Sequence, residues 1–157
     1  MIRIVLTFSL LIAGAAMAEE VADMMPRDGW QVTSTTKDFD SLVADTRAAA
    51  KIGGFAVVTQ AGPTEAAARR GIDIPGNRVI GLFNNDFAVR ILRLSTPAMI
   101  EAPIRVYVTE NSDGTATLSY KLPSEILAPY AAQAPGLAAI AAELDAAFAD
   151  VAAAATR

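Results

Sequence analysis

The side chains that carry most enzyme chemistry at neutral pH are missing from this chain, which has no histidine and no cysteine. Imidazole is the usual proton-transfer group near pH 7, and the thiolate is a strong nucleophile and soft metal ligand. Without them the Ser-His-Asp triad, thiol catalysis, c-type haem attachment and ordinary zinc sites are excluded. Asn111-Ser112-Asp113-Gly114 offers oxygen ligands, but with too few acids and the wrong spacing for a calcium loop. Met24 and Met25 carry soft sulfur suited to copper(I), but they fall in a presumed linker. The lysines are Lys37, Lys51 and Lys121, and none completes a Ser-x-x-Lys pattern. The glycines from Gly71 to Gly76 lack the lysine and spacing of a phosphate loop. No catalytic residue, metal site or cofactor is therefore assigned.

What remains is recognition chemistry. Six arginines (Arg69, Arg70, Arg78, Arg90, Arg93 and Arg105) share their segment with three acids, Asp73, Asp86 and Glu101. The guanidinium fork suits carboxylate, phosphate or sulfate, so the cluster reads either as an anion- or partner-binding patch or as a solvated surface whose arginines meet acids from elsewhere in the chain. Arg90 and Arg93 are three residues apart and would share a helical face. Arg105 alternates with Ile104 and Val106 and should lie on the exposed face of a strand. Asn84 and Asn85 stand where a strand hands over to a helix. There they would either receive an anion at the helix start or simply cap the helix. Tyr107 and Tyr120 would border a cleft or an interface, or, for at least one of them, pack in the core or against the sheet. Trp30 reads as a packing anchor at the start of the domain.

These groups need a scaffold, and the sequence outlines one. Residues 1–18 have the three parts of a secretory signal peptide: Arg3, the apolar run Ile4 to Ile12, and Ala16-Met17-Ala18 as a cleavage site. Cleavage after Ala18 would deliver the chain to the periplasm or the medium, with no membrane span left. Residues 19–29 read as a linker and 30–157 as a single domain. The chain has a net charge of −4, which disfavours nucleic acid as a partner.

Trp30 to Thr35 alternates like a first strand, and Thr36 or Asp38 can cap the helix that follows. Gly53-Gly54 stops that helix. Phe55 to Thr59 reads as a buried second strand, and Thr64 to Arg70 as a short helix. Arg78 to Phe83 is apolar on both faces and reads as a central third strand. A helix bearing Phe87, Ile91 and Leu94 follows and ends at Pro97. Ile104 to Thr109 and Thr115 to Tyr120 alternate around Asn111-Ser112-Asp113-Gly114, which predicts an antiparallel hairpin. Leu122-Pro123-Ser124-Glu125 opens a short helix. Leu137, Ile140, Leu144, Phe148 and Val151 then form one apolar stripe on a longer one. The order predicts an α+β two-layer sandwich, a mostly antiparallel sheet of about five strands covered by helices.

The arrangement resembles the DUF302 family, whose fold is called TT1751-like. The resemblance rests on Gly53-Gly54-Phe55, on Val79 to Phe83 running into Asn84-Asn85, on the Pro97-to-Pro103 connection before Ile104 to Val108, and on Leu118-Ser119-Tyr120 leading to a proline and a helix pair. It covers Trp30 to Val151. It implies a compact unit that self-associates and no settled activity. Many members carry a histidine near the place of Ala61-Gly62-Pro63, and an Asn-Pro step where this chain has Asn85-Asp86. Any histidine-dependent chemistry of those relatives is closed to this chain. The functional expectation is an exported, homodimeric, non-enzymatic module that binds a small anion or another exported protein. The alternatives are a small metal-independent enzyme using carboxylate, arginine and tyrosine groups in a cleft or dimer interface, and a purely structural envelope protein.

Overall fold

A computed structural model describes residues 21–157. The leader and cleavage site expected from the sequence lie outside the described residues. The domain is one five-stranded sheet with helices packed on one of its faces. The strands are β1 (Trp30–Ser34), β2 (Ala56–Ala61), β3 (Asn77–Phe83), β4 (Ile104–Glu110) and β5 (Ala116–Lys121). Their spatial order is β1-β5-β4-β3-β2, and every neighbouring pair is antiparallel. The helices are α1 (Phe39–Ile52), α2 (Thr64–Ala68), α3 (Asn85–Leu94), α4 (Pro123–Ala131) and α5 (Leu137–Ala155), with a 3₁₀ turn at Pro97–Glu101.

Local chemistry sets the boundaries. The Asp38 carboxylate accepts hydrogen bonds from the backbone N–H and the hydroxyl of Ser41, which caps α1. Those bonds hold the Asp38 carboxyl below its usual range. Gly54, at φ +80°, turns the chain out of α1 toward β2. At the tip of the β4–β5 hairpin, Asp113 accepts from the Thr115 N–H and hydroxyl, and Gly114 sits at φ +81°.

The register divides the sheet into two faces. Ile80 and Leu82, Ile104, Val106 and Val108, and Leu118 and Tyr120 share one face, and all are buried. Leu42 of α1, Ile91 of α3, Leu127 of α4 and the α5 stripe from Leu137 to Val151 close over them. Phe148 meets Phe55 edge-on at 5.2 Å and Tyr120 at 5.5 Å, forming the aromatic centre of the core. Among the described residues the opposite face carries no helix layer. It presents Trp30, Lys121, Arg105, Tyr107 and Val79.

One strand expectation is corrected. Strand β2 is an edge strand and is mostly exposed, not buried. Strand β3 is interior, between β4 and β2. An apolar run cannot separate a strand between two neighbours from one that has a neighbour on one side.

Candidate functional site

A groove of about 580 Å³ lies on the open face, where the sheet meets the 3₁₀ turn and the start of α4. Its floor comes from four strands. Trp30 opens β1 and pairs with Lys121, the last residue of β5. The β4–β5 register pairs Val106 with Tyr120, so the next position sets Arg105 beside Lys121. Tyr107 lies opposite Val79. The position flanking Arg105 on β3 is Gly81. A Cβ there would come within 2.2 Å of Thr59 Oγ1 and 2.9 Å of Pro103 Cγ, so those two side chains occupy the space over Gly81.

Two cations side by side on neighbouring strands repel each other. Three ion pairs occur among the described residues: Lys37–Asp45, Arg78–Glu65 and Arg90–Glu143. None involves Arg105 or Lys121. The Lys121 ammonium stands 5.6 Å from the centre of the Trp30 ring, and the Arg27 guanidinium stands 5.3 Å from it.

The wall facing these cations is acidic. Glu101 ends the 3₁₀ turn and accepts a 2.7 Å hydrogen bond from the Tyr130 hydroxyl. That bond, then burial and the Glu101 charge, push the Tyr130 phenol upward. Glu125, in the first turn of α4, lies over Gly29, where a Cβ would stand 3.2 Å from Glu125 Cγ. Asp28 completes the rim.

A second cavity of about 450 Å³ lies between segment 21–27 and the stretch Ile74–Asn77. Tyr107 borders both cavities. The segment is fastened by Asp23, whose carboxylate accepts from the Ser112 N–H at 2.7 Å and its hydroxyl at 3.1 Å.

The residues singled out from sequence fall in three places. Arg105 and Tyr107 line the groove. Tyr120 borders it from β5 but is 2% exposed, with its ring against Phe148. Its phenol is pushed up to about 12, first by burial and then by the charge of Asp145. Asn84, Asn85, Arg90 and Arg93 lie on the helix layer, on the other side of the sheet. Asn84 is the α3 cap: its Oδ1 accepts from the Asp86 and Phe87 N–H groups and its Nδ2 donates to the Gly54 carbonyl. Asn85 begins that helix. Arg90 makes two 2.7 Å bonds to Glu143 of α5 and covers the Phe87 ring, and Arg93 is exposed further along α3. The arginines thus form no single patch.

Lys121, Glu101 and Glu125 join the groove without having been singled out, and Trp30 enters it as well as anchoring β1. Strand alternation carried a usable indication for Lys121, which is in phase with Ser119 and Thr117. The two acids come from helical turns whose docking the sequence does not reveal.

Fold and groove together define a two-layer α+β sandwich with one sheet face covered by helices and the other grooved. The chain belongs to the DUF302 family: the family described as "Domain of unknown function DUF302" matches residues 30–155. The crystal structure of an uncharacterized conserved DUF302 protein from Bacillus stearothermophilus is similar in fold, with a TM-score of 0.71 and 19% identity. The match covers 83% of this chain and 100% of that one. No curated protein matches it significantly.

Proposed function

We propose that this protein is an exported, homodimeric binding module without catalytic activity, and that its open-face groove holds a small ligand by an anionic group. The observation carrying the reading is the juxtaposition of Arg105 and Lys121 on the groove floor with no ion pair to either among the described residues. An arrangement that costs stability by itself is relieved when an anion bridges the two cations. Trp30, Tyr107 and Val79 give an apolar body a surface beside that anion. Export rests on the leader in the sequence. Self-association is supported by β2, an exposed edge strand, Ala56–Ala61, with no charged residue and no proline.

Phenyl phosphate, an anion on a flat apolar body, is a suitable probe. It should raise the Tm of the wild-type protein in a dose-dependent way, because a ligand bound only by the native state stabilises it. The shift should vanish in Arg105→Glu and persist in Arg90→Ala. An equal shift in Arg105→Glu would remove the groove from consideration. Native mass spectrometry of protein purified from the cell envelope should show a dimer with its leader removed. A stable monomer would end the homodimer reading.

A further inference from the structure

The groove carries charge of both signs, and the opposite charges do not neutralise one another. Arg105 and Lys121 rise from the strands, whereas Glu101 and Glu125 stand on the helical wall. No ion pair links the two sets among the described residues. Each set has its own restraint. The Tyr130 hydroxyl bonds Glu101 at 2.7 Å, the Trp30 ring holds the Lys121 ammonium at 5.6 Å, and Glu125 is laid over Gly29. The rest of the lining includes the apolar surface of Val79, Tyr107 and Ile126.

From this, and resting on the groove reading above, we infer that the ligand is a zwitterion of the short-peptide class, with an ammonium group at one end, a carboxylate at the other and an apolar side chain between them. A purely anionic molecule filling the groove would bring negative charge toward Glu101 and Glu125. A purely cationic one would meet Arg105 and Lys121. A neutral apolar molecule would strip water from charged groups and return nothing. A zwitterion answers both walls at once, its carboxylate on the guanidinium and ammonium, its amino group toward the acids. The volume of about 580 Å³ exceeds the needs of a single amino acid and falls in the range that holds molecules of several residues.

The test uses the tripeptide Ala-Phe-Ala in four forms: free, N-acetylated, C-amidated and capped at both ends. Binding is read by calorimetry on the full mature chain. The free peptide should bind most tightly. Each single cap should weaken binding by about tenfold or more, the scale of one charge-assisted hydrogen bond. Glu101→Gln should abolish the penalty of N-acetylation, and Arg105→Gln that of C-amidation. This matching of cap to variant is a pattern that simple loss of folding cannot produce. Equal binding of the free and N-acetylated forms would overturn the zwitterion and leave an anion site. If no form of the peptide binds while phenyl phosphate still binds through Arg105, the zwitterion falls and the groove stands. If neither ligand binds, both fall together.

Discussion

The two faces of the sheet are built to opposite rules. On the covered face the interior strands carry the buried apolar set Ile80, Leu82, Ile104, Val106, Val108 and Leu118, joined by Tyr120, beneath the helices, while Gln31 and Gln60 of the two edge strands stay exposed on that face. On the open face the same strands alternate to Arg105, Tyr107, Lys121, Ser119 and Thr109. One set of backbone ladders serves both, because successive residues of a strand point to opposite sides. Stability therefore concentrates on one side, which leaves the other free to hold charges in positions that packing alone would not select.

The largest expected effect tests the covered face. Phe148→Ala removes the ring that joins α5 to Phe55 and Tyr120, at centroid distances of 5.2 and 5.5 Å. The loss should be about 3–5 kcal/mol in urea denaturation, from lost burial plus the cavity left behind. Tyr107→Ala on the open face should cost far less, since Tyr107 is half-buried and borders cavities instead of filling a core. Comparable losses at the two positions would break the contrast.

A smaller effect, on the order of 2 kcal/mol, belongs to Tyr120, the one hydroxyl-bearing ring set among those buried apolar side chains. Its phenol is pushed up to about 12 by burial and then by Asp145, whereas in the unfolded chain it titrates near 10. The folded state thus disfavours the phenolate. Below about pH 10 both states keep the proton and Tyr120 adds no pH dependence. Between about pH 10 and 12 the unfolded chain loses its proton first, so stability falls as pH rises. Tyr120→Phe should flatten that limb in urea titrations at stepped pH. An unchanged slope would show that the phenol is not the source.

The covered face was largely legible in the sequence and the groove was not, for physical reasons. The α5 stripe at Leu137, Ile140, Leu144, Phe148 and Val151 repeats with the helical period, and every member is buried. The hairpin announced itself because alternation and turn residues both act over short range. The position of β2 at an edge depends on which strands pair, and the run Ala56 to Ala61 does not encode its neighbours. The groove is less local still. Glu101, Arg105, Lys121 and Glu125 come from four elements, and only the register and the docking of α4 bring them together. Arg90 meets the same limit. The sequence allows it either an external anion or an acid from elsewhere in the chain, and only the fold names that acid, Glu143, on a helix fifty-three residues away.

The smallest effect sharpens the comparison most, because it has the opposite sign. If the open face keeps Arg105 and Lys121 adjacent for the sake of a ligand, neutralising either should stabilise the empty protein. Arg105→Gln removes one partner of the like-charged pair and should raise the Tm by about 1–4 °C, the scale of a cross-strand charge term in a domain of this size. Lys121→Gln should do the same, less whatever its contact with Trp30 contributes. The double variant should gain little beyond the better single one, since a single repulsion can be removed once. Added salt should raise the wild-type Tm and shrink these differences, because exposed charges are screened. Each variant should also lose its response to phenyl phosphate. A fall in Tm for both single variants would mean that the two cations already stabilise the empty fold, and the division between a packed face and a face held ready for a ligand would not survive it.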